Sequence, residues 1–225
     1  MTGLLAVPLF AAQDYIGRYD VYGGFGYLNS PHIGLSERGF HAQFGMRLRT
    51  WLTVGFDYSV ATGDTTLTPD LLTSSLQQQL AATFRQLIAA GVIPSTYVLR
   101  VPIDSTTQNF AAGPQFSYRR WARATLFIRP SFGAIRENAT PHAPDPVAAQ
   151  VIAQLVPSGH KLDWTGFYGF GGGADLNLTP RFAIRVQADF VHDHLFNDLL
   201  KDGRNTVRIS VGPAFQFGRN VRGIR

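Results

Sequence analysis

Phe182-Ala-Ile-Arg-Val-Gln-Ala-Asp-Phe190 and Val207-Arg-Ile-Ser-Val-Gly-Pro-Ala-Phe-Gln-Phe217 decide the fold of this chain. Every second residue is apolar, and Arg185, Gln187, Asp189, Arg208 and Ser210 stand between them. A repeat of two is the signature of an extended strand with unlike faces. The pattern recurs upstream. Residues 39–50 set Phe40, Ala42, Phe44, Met46 and Leu48 against His41, Gln43, Gly45, Arg47 and Arg49. Residues 52–60 set Leu52, Val54, Phe56, Tyr58 and Val60 against Thr53, Gly55, Asp57 and Ser59. Residues 110–118, 124–134 and 164–178 behave alike, and residues 19–28 form a less clean first strand in which Tyr22 opposes Val21, Phe25 and Tyr27. The total is eight, an even number that lets an antiparallel sheet close on itself.

About forty residues fall on the apolar side without a charge, as a lipid-facing surface requires, because Arg or Lys near the bilayer midplane costs roughly 2–4 kcal/mol. A soluble barrel would reverse the faces and carry Lys and Glu outward, yet the chain has only Lys161, Lys201, Glu37 and Glu137, none inside a clear strand. The other face offers Arg47, Arg49, Asp57, Arg129, Asp175, Arg185, Asp189 and Arg208, with Gln115, Gln187 and many glycines between them. Such residues fill a narrow lumen by pairing with one another. The fold expected is all-β: an eight-stranded antiparallel up-and-down transmembrane β-barrel with helices in two long extracellular loops.

Connection lengths agree. Arg49 to Trp51, Arg119 to Arg123 and Leu178 to Arg181 are short, whereas residues 29–38, 61–106, 137–162 and 192–205 are long. Short periplasmic turns and long outer loops are the usual asymmetry of outer-membrane barrels. Trp51 and Trp121 fall at the short-turn end, and Tyr27, Trp164 and Tyr168 toward the other, where interfacial aromatic girdles belong.

The last strand carries Ser210, Gly212, Phe215 and Phe217. This polar-x-Gly-x-x-aromatic-x-aromatic run resembles the C-terminal signal by which outer-membrane barrels are recognised for insertion. With the strand count, residues 19–217 resemble the small eight-stranded outer-membrane barrels of the OmpA transmembrane-domain type. The resemblance implies residence in the cell outer membrane, the lipid bilayer and the barrel insertion machinery as partners, and no cofactor. Members often end on the aromatic itself. Here residues 218–225 follow as a short basic tail, which either meets anionic headgroups or is an inert overhang; we favour the overhang.

The chain's 225 residues suit one domain. No apolar run reaches the length of a membrane-spanning helix. There is no cysteine, hence no disulfide or thiolate metal site. The net charge of +5 is scattered, with no basic cluster longer than Arg119-Arg120, which argues against nucleic-acid binding. Residues 1–18 are read as a truncated signal peptide on the apolar run Gly3 to Ala12, although a basic leader is missing.

Two loops have helical signals. Thr68 caps, Pro69 opens, and Leu72, Leu76, Leu80, Phe84 and Leu87 share a face until Gly91. In the other, Asp145 caps, Pro146 follows, and Val151, Ile152 and Leu155 form a stripe. Two readings are open: the helices pack together over the barrel mouth, or an exposed stripe docks an extracellular partner. No catalytic or metal constellation is convincing. His192 and His194, with His142 or His160, have some metal-ligand character, but a histidine at a rim is more often solvated. Gly171, Gly172 and Gly173 are read as permitting curvature, and Pro114, Pro130 and Pro213 as marking bulges. The function expected is that of an integral outer-membrane barrel, not an enzyme, with a structural or surface-interaction role. A narrow channel, a lipid-modifying rim enzyme and a soluble ligand-binding barrel are the alternatives.

Overall fold

The computed structural model describes residues 13–222, so the apolar run of residues 3–12 read as a signal lies outside the described residues. Eight strands follow one another around a closed barrel: β1 (Gly17–Ser30), β2 (Leu35–Arg47), β3 (Leu52–Leu67), β4 (Val101–Tyr118), β5 (Ala124–Pro141), β6 (Lys161–Asn177), β7 (Phe182–Asp193) and β8 (Arg204–Asn220). Each pairs antiparallel with the next, and β1 closes on β8, with Val21 opposite Phe215. Among the described residues no helix is long and apolar enough to cross a membrane.

The faces sort as the alternation requires. Phe25, Phe44, Phe56, Ile128, Phe132, Phe170, Val186 and Ile209 point outward and stay exposed, while Arg185, Gln187, Asp189, Arg208 and Ser210 are buried inside. Trp51 stacks on Phe116 at the short-turn end, and Tyr118 meets Trp121 edge-on. At the other end Trp164 stacks on Phe110, Tyr168 lies against His192, and Tyr27 donates to Ser36.

The strands outrun the bilayer. β4 and β5 each hold 18 residues, against the roughly 9–11 needed to cross. Beyond the belt the outward residues turn polar, at Arg38, Thr62, Asp64, Asp104 and Asn138. Both faces are polar there, so the apolar-polar alternation fades and the sequence pattern there is that of a loop. The connection expected over residues 29–38 shrinks to a turn at residues 31–34, with Gly34 in the left-handed region at φ 63°. Glu37 and Glu137, placed outside the strands by the sequence, lie in β2 and β5 and face the lumen.

No bulge occurs at the prolines. β4 and β5 keep one register across the interruption, with Ala112 opposite Phe132 and Phe116 opposite Ile128. Pro114 therefore lies opposite Pro130. Neither has an N–H to donate, and pairing lapses there without an inserted residue. The β1–β8 seam behaves alike around Pro213, between the Tyr22–Ala214 and Phe25–Val211 pairs. A bulge would turn the following side chains to the opposite face. Each charge so exposed to lipid would cost roughly 2–4 kcal/mol, whereas a net backbone hydrogen bond is worth about 1 kcal/mol; losing the bonds is the smaller cost. The glycines of β6 make room, since a Cβ on Gly171 would strike the Asp189 carboxylate and one on Gly173 the Val186 carbonyl and the Phe127 ring.

The first helix, α1, spans Ser74–Ala89, with Thr73 at its N-cap. Thr68 and Pro69 open only a short 3-10 turn. Leu72 is instead extended and bridges Leu200, flanked by the bonds Thr73 N–H to Leu199 O at 2.9 Å and Lys201 N–H to Leu71 O at 3.0 Å. Tertiary pairing outweighs the local proline signal and delays the helix. The second helix, α2 (Pro146–Leu155), starts at the expected cap, with Asp145 Oδ1 accepting from the Val147 and Ala148 amides at 2.9 and 2.8 Å. The stripes face each other: Leu80, Ala148 and Val151 form one core with Leu72, Leu99 and Val101, joined by Leu76 and Phe84.

The described part of the tail, residues 218–222, is held against the barrel. β8 runs on to Asn220, the Val221 amide donates to Ile16 O at 2.9 Å, and Val221 is fully buried. Arg222 pairs with Asp14 at 2.8 Å.

Candidate functional site

The site is the lumen. Inward positions alternate with outward ones along every strand, so charged residues from distant parts of the chain converge on the axis. At the short-turn end Arg185 of β7 is the hub. Its Nε donates to Asp175 Oδ1 at 2.7 Å, Nη2 to Asp20 Oδ2 at 2.7 Å, and Nη1 to Gln43 Oε1 at 2.8 Å. Its guanidinium also lies over the rings of Phe127 and Tyr22, at 5.0 and 5.6 Å from their centroids. Arg47 shares Asp20 at 3.3 Å and donates to Gly17 O at 2.6 Å. Below them Arg119 folds in from its turn and donates to Thr50 O, Gln13 Oε1 and Thr125 Oγ1 at 3.0–3.2 Å.

In the middle Arg129 pairs with Asp57 and reaches Asp189 at 3.5 Å. Arg208 holds Asp189 at 2.8 Å and Ser59 Oγ at 2.9 Å. His41 bonds Ser210 at 3.0 Å, and Gln187 donates to Asp189 at 3.1 Å. Toward the long loops Arg204 joins Glu137 to Asp193, Ser105 donates to Glu137 at 2.8 Å, and Thr107 donates to Glu37 at 2.9 Å. Breaking one partner of a buried pair strands the other charge, at a cost of roughly 3–5 kcal/mol; the network holds itself shut.

Between the level of Arg129 and Asp57 and the level of Arg204, Glu137 and Asp193 the interior changes character. Ala111, Ile135, Phe167 and Val191 turn inward, and Leu195 and Phe196 fold over them from the last long loop. Between this cluster and α2 lies a cavity of about 80 Å³, walled by Leu67, Leu71, Val101, Ile103, Val151 and Ile152 among others. Outside the membrane, Tyr97 donates to both Asp145 oxygens, at 3.1 and 3.0 Å. The Ala148 amide first, then Tyr97, hold the Asp145 carboxyl below its usual range. Burial first, and then Asp145, push the Tyr97 hydroxyl up to about 12.

Of the residues expected in the lumen, Arg47, Asp57, Arg129, Asp175, Arg185, Asp189 and Arg208 lie there and meet one another. Arg49 does not. It stands exposed in the turn after β2, because that strand ends at Arg47 and the parity argument ends with it. Sequence reasoning left out Asp20, His41, Gln43, Glu37, Glu137, Asp193 and Arg204 as members of the network. Each shares the parity of a neighbour already named, Arg47 in β2, Arg129 in β5, Asp189 in β7 and Arg208 in β8, or of Tyr22 in β1. Extending each strand by a few residues would have found most of them. In the last strand Ser210 faces the lumen and Phe215 and Phe217 face outward. His192 bonds Asn205 at 2.7 Å and lies against His194, while His142 bonds Asp104 at 2.8 Å; the structure does not bring His142 to His192. Among the described residues no group of three or more histidines, cysteines or carboxylates stands where a metal ion could be held.

A closed eight-stranded barrel with an uncharged, exposed apolar belt and an ion-paired interior defines an integral outer-membrane β-barrel protein. No family model and no curated protein matches the sequence. Its likeness is to solved folds. Neisserial surface protein A superposes with a TM-score of 0.52 over 88% of this chain and 96% of that one, at 11% identity. The outer membrane protein OprG from Pseudomonas aeruginosa does so with a TM-score of 0.52 over 91% and 98%, at 9% identity. Both likenesses are of fold.

Proposed function

We propose that this barrel is a non-conducting anchor with a structural or surface-interaction role, holding a folded cap outside the cell. One observation carries the reading: the lumen is crossed at successive levels by buried ion pairs, Arg185 with Asp20 and Asp175, Arg129 with Asp57, and Arg204 with Glu137. A solute crossing it would have to separate charges that have no water to replace their partners. The strands rise past the belt and end in a cap whose two helical stripes pack on each other, while Ile88, Val92 and Val98 stay exposed beside its polar outer residues for contact. Purified protein in planar bilayers is expected to show no steps above baseline, and reproducible single-channel conductance would replace this reading with that of a narrow ion channel. Ser210, Gly212, Phe215 and Phe217 serve on this reading as the signal to the insertion machinery, so Phe217→Ala is expected to slow assembly in cells without weakening the assembled barrel.

A further inference from the structure

The chain's net charge of +5 has an address. Inside the lumen, carboxylates match arginines almost one for one. At the long-loop end the cations Arg38, Arg85, Arg100, Arg136, Lys161 and Lys201 are matched in number by Asp64, Asp70, Asp104, Asp163, Asp198 and Asp202, although of these cations only Lys161 is ion-paired, to Asp198. The short-turn end is different. Arg18, Arg49, Arg120, Arg123, Arg181 and Arg219 are exposed or half-exposed there, and among the described residues none of them takes part in an ion pair. Among the described residues the one exposed acid of this rim, Asp14, is already bonded to a seventh arginine, Arg222.

These arginines sit at a defined depth. Arg49 shares its turn with Trp51, which is stacked on the outward Phe116, and Arg120 and Arg123 share theirs with Trp121, which meets the outward Tyr118 edge-on, where the apolar belt stops. Arg181 lies over the Tyr15 ring at 5.4 Å. Amphipathic rings mark headgroup level, so the guanidiniums are at the height of lipid phosphates. A guanidinium binds phosphate by two parallel N–H donors.

We propose that this rim is a binding surface for anionic phospholipid headgroups in the leaflet on the short-turn side. The belt and the rim are then one continuous lipid contact, apolar above and phosphate-binding below. Its charge sets the choice of lipid and the direction in which the barrel sits. Each arginine near an anionic surface raises affinity about fivefold, an effect that fades within a Debye length of about 8 Å at physiological salt.

Tryptophan quenching by brominated lipids tests this, because the chain has three tryptophans, two at the rim and one at the far end. The folded protein carrying Trp164→Phe reports from Trp51 and Trp121, and one carrying Trp51→Phe and Trp121→Phe reports from Trp164. In vesicles of brominated phosphatidylglycerol mixed with phosphatidylcholine, the rim reporters are expected to prefer the anionic lipid roughly three- to tenfold at low salt. The preference should be much smaller in 0.5 M salt and reduced to a small remainder, from Arg18 and Arg219, in a variant with Arg49, Arg120, Arg123 and Arg181 changed to Gln. Trp164 should show none. If that quadruple variant fails to give the heat-modifiable band of a folded barrel, the Arg49→Gln, Arg181→Gln pair serves, with half the effect. Equal quenching by both lipids at the rim, an equal preference at Trp164, or a preference that survives undiminished after removal of the arginines would overturn the proposal.

Discussion

The belt of this barrel hides mainly polar and charged side chains, whereas toward its extracellular end the same strands hide apolar side chains among the charged ones, Val191 beside Asp193 and Ile135 beside Glu137. In the belt β7 turns Val186 to the lipid and hides Arg185, Gln187 and Asp189. A few residues on, it hides Val191 against Phe167 and Ile135, and β3 turns Thr62 and Asp64 outward. The switch follows the solvent. Lipid accepts apolar surface at no cost and rejects charge, whereas water outside the belt restores the ordinary drive to bury Leu, Ile and Phe. A strand can cross from one regime to the other because its alternation only separates two faces and leaves the environment to decide which face is hidden.

The sharpest way to break this comparison is to strand a lumen charge. Arg185→Ala would leave Asp20 and Asp175 buried without their hub, and we expect a loss of roughly 3–5 kcal/mol in urea unfolding of the folded barrel. A loss under about 1 kcal/mol would mean that water enters the lumen freely, and the anchor reading would lose its basis. Phe167→Ala, in the conventional core above, is expected to cost nearly as much, about 3 kcal/mol by the same measurement. The outward positions sharpen the contrast further. Val186→Arg should cost roughly 2–4 kcal/mol, and Thr106→Arg, outward but beyond the belt, should stay within about 0.5 kcal/mol. Equal costs at the two sites would put the boundary of the membrane in the wrong place.

The extracellular end also titrates. Asp145 has a lowered folded-state pKa, so its stabilisation of α2 is present above its ordinary value of 3.8 and is lost as the pH falls through the folded value. Amide exchange at Val147 and Ala148 should therefore quicken relative to the belt below about pH 4, and Asp145→Ala should remove that response at a cost of roughly 1 kcal/mol. The smallest effect is expected from replacing residues 68–100 by a two-residue turn between Leu67 and Val101, which are already paired across β3 and β4. Heat-modifiable migration should survive; its loss would mean that the cap is needed to close the barrel.

Much of the barrel was legible in advance because lipid imposes a strict rule: period two, no charge outward, short turns at one end. Arg47, Asp57, Arg129, Arg185 and Arg208 could be assigned to the interior on parity alone. Parity failed where its premise did. Arg49 lay beyond a strand end, Glu37 and Glu137 lay in extensions with two polar faces, and the three prolines were absorbed by lapsed pairing. The helix expected from Thr68 began late because Leu72 found a strand partner in Leu200.

The amino-acid order alone determined how many strands there are, which face of each meets lipid and where the three short-end turns fall, since these depend on neighbours two residues apart. Tertiary structure decided which arginine meets which aspartate, which levels of the interior are ionic and which apolar, and that the excess of cations over acids gathers at one rim. Those depend on residues as far apart in the chain as Asp20 and Arg185, whose meeting at 2.7 Å is set by barrel closure and register rather than by local pattern.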